Sequence, residues 1–316
     1  MKKIALSLAA LAVTAGSALA ADLPSRKGPA VLPPPPPPPP MWTGFYVGLN
    51  AGGAWANSNG QYLGMGPVGA SAGWPHGGAA LTDSYLAAFS AAGSAAGTNS
   101  GGNGGFIGGG QIGYNWQFYN NLVVGLEADI EGIAGNSGSR AFMTGASVAD
   151  GSNYVGVHSV RGSLDYLGTV RGRLGWLFMP TMLVYGTGGL AYGGVTLNST
   201  SMIYNDFFVN QLTAAGAPVL PVSVGGVNFS NTQVGWTAGG GLEWMFMPNW
   251  SAKVEYLYYD LGTVTQNFAM AATNNNTGLN AIFGGQTRAR VNGNIVRAGV
   301  NYHFNWGSPA PIIAKY

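Results

Sequence analysis

The sequence predicts an all-β fold, an eight-stranded antiparallel barrel that crosses a membrane with short turns on one side and long loops on the other. Three observations lead there. Eight separate segments alternate apolar and polar residues with the period of two that gives a strand two unlike faces. The chain is 47% hydrophobic and 12% aromatic, yet beyond its first twenty residues no apolar run approaches the ~20 residues of a spanning helix. The connections between segments are alternately brief and long. A chain that crosses lipid without helices must satisfy every backbone group between strands, and only a closed barrel does so.

The chain opens with Lys2 and Lys3, continues through an apolar stretch from Ile4 to about Ala15 and reaches Ala18-Leu19-Ala20, the three regions of a secretory signal peptide cleaved before Ala21. The apolar stretch is too short to anchor and is followed at once by polar residues. Without Lys2 and Lys3 the 13 basic residues become 11, matching 11 acidic ones, so the mature chain is formally neutral and carries no footprint of a nucleic-acid partner. Cysteine is absent, which excludes a disulfide framework and cysteine-based zinc or redox chemistry. Residues 21–41 include eight consecutive prolines, Pro33 to Pro40. They predict a polyproline II spacer of about 25 Å at ~3.1 Å per residue, reading as a periplasmic tether.

The barrel itself is expected over residues 42–304. In the first segment Phe45, Val47, Leu49, Ala51 and Trp55 face outward, opposite Tyr46, Gly48, Asn50 and Gly52. In the second, Phe106, Ile112, Tyr114, Trp116 and Phe118 oppose Gln111, Asn115 and Gln117. In the third, Leu122, Val124, Leu126, Ala128 and Ile130 oppose Glu127, Asp129 and Glu131. In the fourth, Leu164, Tyr166, Val170, Leu174 and Trp176 oppose Asp165, Thr169, Arg171 and Arg173. The fifth, Met182 to Leu197, is glycine-rich, and Val184, Leu190 and Tyr192 read as outward. The sixth sets Val234, Trp236, Leu242, Trp244 and Phe246 against Gln233, Thr237 and Glu243. The seventh sets Ala252, Val254, Tyr256 and Tyr258 against Lys253 and Glu255, and the last sets Val296, Ala298, Val300, Tyr302 and Phe304 against Arg297, Asn301 and His303.

Brief turns around "FYNN", "FMPT" and "FMPNW" join segments two to three, four to five and six to seven. Long Gly/Asn/Ser/Ala-rich loops fill Asn57 to Gly105, Gly135 to Val160, Asn198 to Asn231, and Gln266 to about Arg288. Short periplasmic turns and long extracellular loops are the asymmetry of an outer-membrane barrel. Four outward aromatic pairs, Phe45/Trp55, Phe106/Trp116, Tyr166/Trp176 and Trp236/Phe246, share a spacing of ten residues. At ~3.3 Å per residue and a 45° tilt this covers roughly 23 Å, close to the ~25 Å apolar band between two aromatic girdles. Phe304 belongs to the periplasmic girdle.

Chemistry is sparse. Gly108-x-Gly110-x-x-Gly113 and Gly186-x-Gly188-x-x-Ala191 have the spacing of a dinucleotide fingerprint, but both lie inside strands rather than at a strand-to-helix turn. His76, His158 and His303 are scattered and make no metal site, and no cofactor is expected. His158-Ser159 with Asp150 is the one candidate for hydrolysis, with solvated loop residues as the ordinary alternative. The inward charges are more informative. Glu127, Asp129, Glu131, Asp165, Glu243 and Glu255 face Arg161, Arg171, Arg173, Lys253 and Arg297. An eight-stranded lumen is just wide enough for side chains to fill, so opposite charges at matched depths are expected to pair rather than line an open channel.

With the strands placed, "WTGFYVGLNAGGAW" after a Pro-rich leader, "GTVRGRLGW", "VYGTGGLAYGGV", "GGGLEW", "SAKVEYLYYDLG" and "VRAGVNYHF" resemble the alphaproteobacterial outer-membrane barrels labelled porin family or outer-membrane immunogenic protein, with an OmpA-like barrel. The resemblance covers most of Trp42 to Phe304 apart from the long loops. It implies antigenic loops and an envelope or surface role, with small pores or ligand capture credited to a few relatives. A terminal aromatic such as Phe304 is associated with recognition by the barrel-assembly machinery, but "NWGSPAPIIAKY" follows it here, and Pro309 and Pro311 argue against a further strand. The expected function is structural, a surface-interaction barrel with its lumen closed by paired charges. A narrow porin is the alternative and an outer-membrane hydrolase the distant one. Expected partners are outer-membrane lipid and lipopolysaccharide, the assembly machinery, and a loop ligand that low-complexity loops do not identify.

Overall fold

A computed structural model describes residues 41–57, 60–70, 79–98, 104–119, 121–135, 137–274 and 279–304. The expected signal peptide, nearly all of the proline linker, His76 and the tail after Phe304 lie outside the described residues. Eight strands close a ring: β1 (Gly44–Ala56), β4 (Gly105–Phe118), β5 (Leu122–Ala134), β7 (Asn153–Met179), β8 (Met182–Asn205), β9 (Ser223–Met247), β10 (Trp250–Asn274) and β11 (Leu279–Phe304), which pairs back onto β1. All ring pairings are antiparallel. Closure puts Phe45 opposite Phe304 and Leu49 opposite Val300, so the apolar residues of the first and last strands fall on one outer face.

Period-two alternation explains which face each residue takes. Leu49, Phe106, Ile112, Leu126, Val170, Leu174, Trp176, Leu190, Trp236, Leu242 and Val254 are exposed on the outside, where in a membrane they meet lipid. Their strand neighbours Asn50, Gln111, Glu127, Arg171, Arg173, Thr237, Glu243 and Lys253 are buried. The turns expected on the periplasmic side are short, with Pro180 and Thr181 between β7 and β8 and Pro248 and Asn249 between β9 and β10.

The long loops are a different matter, and here the expectation is corrected. The first holds β2 (Gly60–Ala70), α1 (Ala79–Ala92) and β3 (Ala95–Thr98); the second holds β6 (Ser137–Ser147) and the start of β7; the third holds the end of β8, α2 (Asp206–Ala214) and the start of β9; the fourth extends β10 and β11. Strands of 24 to 27 residues are more than twice the ~10 residues of a membrane crossing. Glycine, serine and asparagine have weak strand propensity, but propensity yields to cross-strand pairing, and the extensions of β7 to β11 continue ladders that begin in the ring.

Above the ring the wall parts. β9 and β10 pair only as far as Trp236 and Asp260. Beyond that point β9 stays on β8, which carries β7 and then β6, while β10 stays on β11, which carries β2 and then β3. Helix α1 joins the two halves: Phe89 stacks on Phe283 of β11 with ring centroids 4.1 Å apart and meets Tyr154 of β7 edge-on at 5.4 Å. Ala92, Ile203, Met270, Ala272 and Ala281 complete this upper apolar cluster.

The lumenal charge network

From the periplasmic end upward, the interior of the ring is built in layers. The lowest centres on Trp42, 1% exposed, packed with Val123, Leu177, Leu183, Tyr185 and Met245. Its indole Nε1 donates to the Pro180 carbonyl at 2.9 Å, its backbone N–H donates to Gln117 Oε1 at 3.2 Å, and its ring meets His303 edge-on at 5.8 Å. The first residues after the proline run are therefore folded into the barrel's periplasmic mouth.

The middle layer is ionic. Strand register sets Glu127 opposite Arg171, Glu243 opposite Lys253 and Glu255 opposite Arg297. Arg171 donates to Glu255 Oε1 at 2.9 Å, to Asp129 Oδ2 at 2.8 Å, to Thr169 Oγ1 at 2.9 Å and also to Glu127. Arg173 donates to Glu243 Oε2 at 2.6 Å and to the Tyr46 hydroxyl at 2.7 Å, with its guanidinium over the Tyr185 ring at 4.0 Å. Lys253 reaches Glu127 Oε1 at 3.0 Å. Arg297 gathers Asp129 at 2.8 Å together with Glu131 and Glu255. Polar neighbours complete the shell: Tyr46 donates to Glu127 at 2.6 Å, Asn301 to Glu243 at 2.7 Å and Tyr185 to Glu255 at 3.1 Å. Each ion taken out of water costs several kcal/mol, which only close pairing with further hydrogen bonds offsets, and these contacts supply both. Room for the large side chains comes from glycine. A Cβ on Gly113 would lie 2.3 Å from the Tyr46 ring.

The layer above is apolar, formed by Ala54, Ile107, Leu164, Leu167, Ala191, Leu257, Tyr259 and Ile295. In most of these stretches both faces of the strand are apolar, so no alternation marks the inward side, and Leu164, expected outward, is instead part of this layer. Tyr46, although on the inward parity, and Tyr185 and Trp42 carry no sequence mark as partners of the ions, since an aromatic side chain alone does not announce a polar neighbour.

Nine of the eleven expected inward charges meet in one layer: Glu127, Asp129, Glu131, Arg171, Arg173, Glu243, Lys253, Glu255 and Arg297. Asp165 does not. It is exposed and accepts from Ser163 at 3.2 Å and Thr196 at 3.3 Å. The β7 to β8 pairing skips from Leu164↔Val195 to Leu167↔Gly193, a bulge that puts two residues opposite one and reverses the faces above it. Leu164 therefore points inward, 4% exposed, and Arg161 joins Asp165 outside. Asp165→Asn is accordingly expected to shift stability by no more than about 0.5 kcal/mol, checked by urea unfolding in micelles; a loss of several kcal/mol would return it to the lumen.

The expected girdle residues Phe45, Trp55, Phe106, Trp116, Trp176, Trp236 and Phe246 are exposed, while Tyr166 and Phe304 are half-buried on the same face. Tyr166 bonds Thr232 at 2.7 Å, and Phe304 packs edge-on against Tyr302 at 5.1 Å.

His158, Ser159 and Asp150 are not brought together. His158 is fully buried, Ser159 projects from the other face of β7, and Asp150 accepts hydrogen bonds from Tyr85 and Ser152. Among the described residues no cluster of three His, Cys, Asp or Glu could hold a metal. His158 instead fastens α1. Its Nε2 lies 2.8 Å from the Ala92 carbonyl, which accepts a further bond from Thr144, and its Nδ1 lies 2.9 Å from Ser201 Oγ. Burial depresses its pKa, opposed by the bond to Ala92. Asp150, held below the usual range by the Tyr85 hydrogen bond, and Asp206, bound to Asn153, are committed elsewhere, and the neighbouring Tyr85 and Tyr154 are raised by burial. A folded-state value below the unfolded ~6.5 means stability that is full above that pH and is lost as pH falls through the depressed value. Protection factors of the Leu86 to Ala92 amides, in which the pH dependence of intrinsic exchange is divided out, are expected to fall as pH drops below about 6.5, and His158→Asn should remove that dependence.

A ring of eight strands, apolar outside and ionic within, defines a transmembrane β-barrel of the bacterial outer membrane. The chain belongs to the outer membrane protein beta-barrel domain family, whose model matches residues 6–304. It is 32% identical over 305 residues to the 31 kDa outer-membrane immunogenic protein of Brucella melitensis, covering 96% of this chain and all of that one. The 22 kDa outer membrane protein of Rhizobium leguminosarum is 30% identical over 154 residues, 48% of this chain and 52% of its own. Among solved structures, the outer membrane protein OprG of Pseudomonas aeruginosa aligns over 83% of this chain and 97% of its own, at 10% identity and a TM-score of 0.31.

Proposed function

We propose that this protein is a structural and surface-display barrel of the outer membrane, non-enzymatic and closed to solutes, with its strand extensions carried outside the cell. The observation that supports this most is the stack of three buried layers across the lumen: Trp42 and its neighbours, nine mutually paired charges, and the apolar side chains above them. A solute path would have to break ion pairs in a water-excluded space, where an unpaired charge costs several kcal/mol. Lipid and lipopolysaccharide contact the outer face and its aromatic girdles, the assembly machinery handles the barrel during insertion, and any ligand is met by the extracellular strands. Residues 1–20 act as the signal peptide and 21–41 as the periplasmic tether. Proteoliposomes in isotonic small sugars or amino acids are expected to swell no faster than protein-free vesicles, while antibody to the purified barrel labels intact cells. Rapid swelling abolished by charge reversal at Arg171 would identify a narrow porin instead.

A further inference from the structure

Where the wall parts above the outer aromatics, a cavity of about 80 Å³ lies between the two halves. Val195, Leu197, Tyr259, Val264 and Ala289 make its apolar floor, and Gly138 and Gly162 line it without side chains. Gln61 stands at its edge, held in register against Ala289 of β11 and Gly97 of β3. Its side-chain oxygen is buried and has no hydrogen-bond partner among the described residues, an arrangement that costs free energy unless a donor arrives. The charged residue that lines the cavity, Arg290, is paired with Asp260.

We propose that this cavity binds a small uncharged amphiphile, an aliphatic body bearing one hydroxyl or amide N–H that donates to Gln61 Oε1. Size follows from volume: an apolar cavity of ~150 Å³ accepts benzene, so this one takes roughly three to four carbons. Neutrality follows from the lining, which offers an ionised ligand no free counter-charge. Access follows from height. Ala56 succeeds the outward Trp55 and Tyr259 succeeds Tyr258 in sequence, so the cavity lies at the outer headgroup level and is reached without crossing the ionic layer.

The test uses the mature protein in nanodiscs with labelled Leu and Val methyls, titrated with 1-butanol and, separately, butyrate. The Val195, Leu197 and Val264 methyls are expected to shift saturably with butanol and not with butyrate. Lipid-facing Val254 should drift linearly as alcohol enters the bilayer. Gln61→Leu should weaken the response at least five-fold, and Ala289→Leu, which fills the space, should abolish it. Should Ala289→Leu not fold, Val264→Leu serves the same purpose. Linear shifts parallel to Val254, equal response to butyrate, or saturation unchanged in the filled variant would each overturn the proposal.

Discussion

Replacing Arg171 by leucine is expected to destabilise the folded barrel by about 3–5 kcal/mol, because Glu127, Asp129 and Glu255, all buried, lose a partner at once. The network holds five carboxylates against four cations, so removing one cation leaves five against three. Removing Glu255 as well restores the native imbalance of one. Arg297 then keeps Asp129 and Glu131, and Lys253 keeps Glu127. Arg171→Leu/Glu255→Leu is therefore expected to recover about 1 kcal/mol or more, within the usual range for directly coupled pairs. Urea unfolding in micelles, followed by tryptophan fluorescence and gel mobility with and without heating, measures both. Equal destabilisation of the single and double variants would show that the layer is not an interdependent network.

Trp42→Ala is expected to cost about 3–5 kcal/mol, the range for deleting a buried aromatic. Trp42 sits at the mouth, and its ring covers the His303 edge and the side chains of Leu177 and Leu183. Trp42→Phe should cost less. It keeps a ring in place but loses the indole bond to the Pro180 carbonyl, a contribution of about 1 kcal/mol. Neither variant is expected to conduct, because Ile107, Leu167, Leu257 and Ile295 still fill the lumen above the ions. Conductance in Trp42→Ala would make the aromatic cork, rather than the layers above it, the barrier.

What sequence alone could reach is set by what alternation encodes. Arg171 and Arg173 share a parity opposite to Val170, Leu174 and Trp176, and that suffices to put them inside. Register needed only matched depth from the periplasmic turns, which is why Glu127 and Arg171 meet. Asp165 escaped because a bulge adds one residue to a strand without leaving a compositional mark. The inward apolar layer escaped for the opposite reason, since Leu257 and Ile295 lie between outward Tyr256, Tyr258 and Val296 and nothing distinguishes the two faces. The upper strands were illegible because Gly, Ser and Asn read as loop wherever the partner strand is unknown. Pairing along Ser199 to Ile203 and Ser223 to Val227 is a property of the neighbour as much as of the segment. Trp42 follows the prolines with no periodic pattern of its own, so its place in the mouth depends on the closed ring.

The measurement closest to the central claim is planar-bilayer recording of the refolded mature protein in molar KCl. The closed lumen proposed above predicts a baseline without steps at either polarity, unchanged in Trp42→Ala. Steady unitary steps in the native protein, reversed in ion preference by Arg171→Glu, would contradict it and make the ionic layer the constriction of a pore.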